Sequence, residues 1–148
     1  MPEPTTTPAP TISVVMGFDF GLKRIGIAIG QTITGTANPL TTLKTEQGHP
    51  PWRAIQTLIQ EWRPQALVVG VPRNMDDTDA PITATVRVFI QQLKERFKLP
   101  IFEVDERLST REARARQQDL GEYTLANRSA LDRIAAQIIL ESWLREQH

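Results

Sequence analysis

The stretch Val14-Val15-Met16-Gly17-Phe18-Asp19-Phe20-Gly21, continued by Leu22-Lys23 and Arg24-Ile25-Gly26-Ile27-Ala28-Ile29-Gly30, decides how this chain folds. Its first part reads as a buried strand over about 12–19 with a charge at its end. Gly21-Leu22-Lys23 predicts a tight turn, because glycine tolerates the backbone angles such turns need. Arg24 to Gly30 is then the returning strand. Asp19 is the anomaly in this hairpin. A buried carboxylate is costly unless it is paired, hydrogen-bonded or bound to a metal. The plain alternative is an aspartate that stabilises the turn by accepting from backbone amides.

Outward from the hairpin, a third strand lies within 34–43, where Pro39 argues for a sheet edge. Trp52, Ile55, Leu58, Ile59 and Trp62 mark one face of a helix stopped by Pro64. Ala66-Leu67-Val68-Val69-Gly70-Val71 is a continuous apolar run, the signature of a central parallel strand covered on both faces. A polar, acidic loop is expected over 72–81, serving either function or entry into the next helix. Val86, Phe89, Ile90, Leu93 and Phe97 mark that helix, and Ile101 to Val104 a short strand. Ser109-Thr110-Arg111-Glu112 has the form of a capping box, so a third helix is expected from there to Gly121. A last helix is expected from Ser129 to about Glu146. The order β-β-β-α-β-α-β-α-α predicts an α/β domain with a mixed sheet.

The chain has 148 residues, enough for one domain with a real core. Met1 to Thr11, with prolines at 2, 4, 8 and 10, reads as a flexible tail, leaving 12–148 as a single domain. With 17 basic and 17 acidic residues the formal charge is zero, so any nucleic-acid surface must come from uneven distribution. Cysteine is absent and only His49 and His148 offer imidazoles, which argues against disulfides and against a zinc site. No apolar run approaches the roughly 20 residues of a membrane span, and 1–11 has neither the charge nor the apolar core of a signal peptide. A soluble cytoplasmic protein is the expectation, with no membrane partner.

Two further acidic sites resemble Asp19 in setting. Asp105-Glu106 closes the run Ile101 to Val104, at the kind of strand end where α/β sheets gather functional groups. Neighbouring strand residues face opposite ways, so one of the two is expected at the site, with Glu106 preferred over Asp105. The alternative is a salt bridge to Arg107 or a hydrogen bond to the next helix. Asp132 shares a helical face with Ala135, Ala136, Ile139 and Trp143, so it is expected at the sheet, although Ser129-Ala130-Leu131-Asp132 also fits a helix cap. Three hard-oxygen donors suit Mg²⁺ or Mn²⁺, and a pair of such ions about 4 Å apart can hydrolyse a phosphodiester. Asp19, Glu106 and Asp132 are the candidate metal ligands, and these with Asp105 the candidate catalytic residues. Basic residues stand near each acid: Lys23, Arg24, Arg73, Arg107, Arg111 and Arg114 are candidate phosphate contacts. Ser109 and Thr110 could add hydroxyls or a helix N-terminus. A solvated arginine face is the alternative for the 107–114 segment.

Four blocks in order, Gly17-Phe18-Asp19-Phe20-Gly21-Leu22-Lys23-Arg24-Ile25-Gly26, Val69-Gly70-Val71-Pro72-Arg73-Asn74-Met75-Asp76, Asp105-Glu106-Arg107-Leu108-Ser109-Thr110 and Leu131-Asp132-Arg133-Ile134-Ala135-Ala136, resemble the YqgF/RuvX family of pre-16S rRNA nucleases and Holliday junction resolvases. The resemblance covers nearly all of 13–146. It implies an RNase H-like fold, a five-stranded mixed sheet with helices on both faces, in which Asp19, the Asp105/Glu106 pair and Asp132 meet as metal ligands. The chain departs from the family pattern at Gly30-Gln31, where Ser-Asp is usual, at Asp77, and at 121–128, which lacks the usual lysines.

The expected function is therefore a metal-dependent nuclease, with the 5′ end of precursor 16S rRNA as the substrate the resemblance implies. A junction resolvase would use the same centre on branched DNA and would need a homodimer, whereas the nuclease could act as a monomer. A non-catalytic nucleic-acid- or ribosome-binding module is a third reading. An actin-like ATPase, suggested by Asp19-Phe20-Gly21, needs a second domain for which 148 residues leave no room.

Overall fold

The computed structural model describes residues 12–46, 49–76, 78–108 and 125–147. The opening hairpin is present: β1 (Val14–Phe20) pairs antiparallel with β2 (Arg24–Gln31). The turn is tied down from outside, since Thr45 donates its hydroxyl to the Leu22 carbonyl and its amide to that of Lys23. β3 (Thr36–Lys44) continues the antiparallel sheet at its edge, where Pro39 fits because an edge strand can spare an N–H. Ile27 pairs with Thr41 and Ala28 with Pro39, which leaves Leu40 as a bulge.

After α1 (Trp52–Trp62), β4 (Ala66–Asn74) joins β1 in parallel. α2 (Thr83–Phe97) then leads to β5 (Ile101–Leu108), parallel to β4. The final helix, α3, spans Leu125–Glu146. The sheet order is β3-β2-β1-β4-β5, the five-stranded mixed sheet that the resemblance implies. The expected helix between Ser109 and Gly121 lies outside the described residues, as does the tail 1–11.

Alternation along the strands sorts side chains into two cores. Met16, Phe18, Ile25, Ile27, Leu67 and Val69 face one way and pack with Ile55 of α1 and Val86, Phe89 and Leu93 of α2. Phe89 is the hub, with ring contacts to Phe18, Phe20 and Trp52. Val15, Ala28 and Val68 face the other way and meet Ala136, Ile139, Leu140, Trp143 and Leu144 of α3. This second face is built from small residues, so α3 lies almost directly on the strands.

Three boundaries differ from the sequence expectation. β4 runs on to Asn74, and a bridge between Arg73 and Asp79 shrinks the expected 72–81 loop to a short turn. Asp76 accepts from the amide and hydroxyl of Thr78, and Asn74 donates its side-chain amide to Thr78, so this turn is self-bonded. Those bonds hold the Asp76 carboxyl below its ordinary range. β5 also continues four residues past Val104, because Asp105 to Leu108 pair with Val71 to Asn74. Pairing across the sheet overrides the low strand preference of charged residues. Finally, α3 begins at Leu125 rather than Ser129. Ser129-Ala130-Leu131-Asp132 is therefore helix interior, and Asp132 does not cap the helix.

Candidate active site

The geometry of the site begins with two glycines. A methyl group built on Gly26 would stand 1.9 Å from the Asp132 carbonyl oxygen, so the α3 backbone rests on β2 at this point. Only the absence of a Cβ permits that approach. Asp19 is the partner of Gly26 across the β1–β2 ladder, and directly opposed residues project to the same face. Asp19 therefore points to the α3 side, half-buried, as Gly17 two residues earlier points to Ala136 and Leu140. On the other flank, Phe18 registers with Val69, which sets Gly70 beside Asp19. A Cβ on Gly70 would lie 2.8 Å from a Glu106 carboxylate oxygen and 2.5 Å from Ile139. Asp19 thus sits between two residues without side chains, with Asp132 above one and Glu106 above the other.

Alternation along β5 separates the adjacent acids. Phe102 and Val104 pack on the α3 side, and Glu106 follows them there. Asp105 faces away and lies 3.9 Å from the Arg73 guanidinium. Arg73 also stands 3.7 Å from Asp79, which pairs with Arg87 at 2.7 Å. Asp105 and Arg73 belong to this ion-pair chain at the end of β4, on the opposite side of the sheet from Asp19.

Asp132 is already engaged. The Arg24 Nε donates to its carboxylate at 2.5 Å, and the two side chains are 18% and 24% exposed. Arg24, expected on phosphate, is here directed at an acid of the site. Lys23 is exposed at the tip of the β1–β2 turn. Arg107 pairs through its backbone with Arg73, while its side chain, together with Ser109, Thr110, Arg111 and Arg114, lies outside the described atoms.

Among the described residues, no group of three or more acidic or imidazole side chains stands close enough as placed to hold a metal ion. The donor chemistry nevertheless fits a hard divalent cation: three carboxylates share one face at one end of the sheet, and glycine leaves room on both sides of the central one. The Asp132 carboxylate is turned towards Arg24.

Sequence reading singled out the acids but not the glycines beside them. The signal was present in β2, where Ile25, Ile27 and Ile29 alternate with Gly26, Ala28 and Gly30. A strand with one bulky and one nearly bare face announces the close approach of another backbone. The Arg24–Asp132 pair spans 108 residues and leaves no local trace.

Comparison with known proteins agrees with this architecture. The RuvX family, described as Holliday junction resolvase, matches residues 13–146. A protein of Pectobacterium carotovorum described as "Putative pre-16S rRNA nuclease" is 48% identical over 134 residues, covering 90% of this chain and 96% of that one. Proteins with the same description from Legionella pneumophila and Yersinia enterocolitica are 48% and 49% identical over 133 residues, covering 90% of this chain and 96% and 95% of theirs. Among solved structures, Thermus thermophilus RuvC in complex with a Holliday junction superposes with a TM-score of 0.53 at 15% identity, over 90% of this chain and 94% of that one. The fowlpox virus Holliday junction resolvase gives 0.53 at 17% identity, over 91% and 99%. At such identities the likeness is one of fold, and it is the RNase H-like fold. Among the described residues no helix is long and apolar enough to cross a membrane. A match to the family over nearly the whole domain, joined to relatives of almost equal length, establishes that this chain belongs to the RuvX family.

Proposed function

We propose that this chain is a divalent-cation-dependent endonuclease that hydrolyses phosphodiester bonds, acting in the cytoplasm on the 5′ end of precursor 16S rRNA. The observation that carries the reading is the placement of Asp19 between Gly26 and Gly70 on the face that also bears Glu106 and Asp132. Relatives at 48–49% identity described as "Putative pre-16S rRNA nuclease" support this choice of substrate.

Asp19, Glu106 and Asp132 would hold the cation, with Asp19 central. A Mg²⁺ or Mn²⁺ ion held by these carboxylates would supply Lewis-acid chemistry for phosphodiester hydrolysis. The chain's own contribution is positional. Asp19 and Glu106 are carried on strands, which fix them better than loops do. Lys23 at the turn tip presents an ammonium to an incoming phosphate. The half-buried setting of the acids limits water and strengthens each electrostatic contact.

Cleavage of precursor 16S rRNA with Mn²⁺ by the wild type, Asp19→Asn and Asp132→Asn tests the assignment. Each variant is expected to lose activity by about 10²-fold or more, the scale set by removing a group that organises the reacting charge. Unchanged cleavage by both variants would rule out this site.

The family description favours a second reading, a resolvase acting on four-way DNA junctions through the same centre. Paired cuts on opposed strands require two copies, so this reading demands a homodimer and the nuclease reading does not. Assays on precursor rRNA, single-stranded DNA and a four-way junction, alongside the mass of the protein in solution, separate the two.

A further inference from the structure

The Arg24–Asp132 contact has a role that the nuclease reading leaves open. We propose that Arg24 is a resident counter-ion of the site: it occupies Asp132 and must leave before that carboxylate can hold a divalent cation, so Arg24 sets the cation affinity. The inference rests on the metal-centre reading given above.

Placement comes first. Arg24 precedes Gly26 by two residues on β2 and so shares its face. Gly26 lets the α3 backbone down onto the strand and thereby fixes Asp132 over β2. Arg24 reaches the Asp132 carboxylate through Nε at 2.5 Å, with both side chains about four-fifths shielded from solvent. A pair so shielded is screened far less by salt than an exposed one.

Chemistry supplies the second argument. A guanidinium does not lose its proton in proteins, so Arg24 remains a cation beside Asp132 whether or not a metal ion is present. Release happens by competition. The carboxylate lone pair used by Nε–H is lost to a cation, and the guanidinium repels a second positive charge nearby. In exchange, Arg24 compensates one of three acids that share a face while no cation is bound.

Mn²⁺ titration of the metal-stripped full chain, without nucleic acid, tests the idea. Calorimetry or the electron-spin resonance of free Mn²⁺ gives Kd directly. Arg24→Gln is expected to bind Mn²⁺ about tenfold more tightly than wild type, the 1.4 kcal/mol that one power of ten represents. Its metal-free form is expected to melt at a lower temperature, and saturating Mn²⁺ to raise its Tm by more than that of wild type. Arg24→Met, which keeps the apolar stem and loses the charge, is expected to behave the same way and carries the test if Arg24→Gln does not fold.

The results separate the two layers of the argument. Loss of Mn²⁺ binding in Asp19→Asn, with an Arg24 variant binding no tighter than wild type, overturns the counter-ion role and leaves the metal centre standing. No Mn²⁺ binding by wild type or any variant overturns both.

Discussion

Gly26→Ala tests the placement on which every statement about the site depends. The added methyl would stand 1.9 Å from the Asp132 carbonyl oxygen and 2.4 Å from its carbonyl carbon, against the 3.0 Å below which real Cβ contacts essentially do not fall. About 1.1 Å must therefore be found, and the obstacle is helix backbone rather than the end of a flexible side chain. α3 has to lift, which opens a gap beneath Ala136 and Leu140. A radial gap of about 1 Å already forfeits roughly half of a dispersion contact. Overpacking of this kind costs about 3 kcal/mol, the upper part of its usual range. For a domain of this size that corresponds to a fall in Tm of about 10 °C. The same lift carries Asp132 away from Asp19, and a misplacement of about 1 Å can cost on the order of 10²-fold in rate. Thermal melting followed by circular dichroism and cleavage of precursor rRNA read the two effects. Gly70→Ala is the internal comparison. Its methyl meets the ends of the Ile139 and Glu106 side chains, which can move, so a loss of only about 1 kcal/mol is expected. A Gly26→Ala protein that melts like wild type and cleaves normally would refute the contact between α3 and β2.

Three further outcomes follow from the same structure. Glu106→Gln is expected to lower cleavage by on the order of 10²-fold, whereas Asp105→Asn, on the other side of the sheet, leaves kcat near wild type; equal losses in rate assays would remove the distinction between them. Thr83→Val deletes a buried hydroxyl that donates to the Pro72 carbonyl and accepts from the Ala80 amide, and unpairing those groups costs roughly 1–3 kcal/mol in denaturant unfolding. The 75–79 turn is expected to loosen in acid. The Asp76 carboxyl is held below its ordinary 3.8, so its bonds contribute fully above that value and are lost as pH falls through the lowered one. Amide exchange at Thr78 in wild type, compared with a pH-insensitive Asp76→Asn, reads this.

The opening hairpin was legible because local signals agreed: alternation in Arg24 to Gly30, a glycine at the turn and an apolar run before it. β4 was legible from its unbroken apolar stretch, and the edge position of β3 from Pro39. Errors gathered where pairing outranks composition. Pro72 to Asn74 read as loop residues and the last strand was expected to close at Asp105-Glu106, yet Pro72 to Asn74 pair with Glu106 to Leu108 as the ends of β4 and β5. Ser129 imitated a helix start because its pattern with Asp132 occurs at caps, while Leu125 to Arg128 continue the helix upstream. The choice between Glu106 and Asp105 could be narrowed by alternation, but naming the face required knowing where α3 lies. The partnership of Arg24 with Asp132 could not be read at all, since each residue has an ordinary local setting.

Pro39 and the bulge at Leu40 have a consequence for how copies of this chain can meet. A nine-residue outer strand is long enough to template a neighbour, and uninterrupted it would invite fibril-like stacking. The missing amide at 39 and the kink beside it break the row of donors on that margin. β3 is thereby a poor template for a second copy, so the pairing of two molecules that a resolvase would need is expected away from this edge of the sheet.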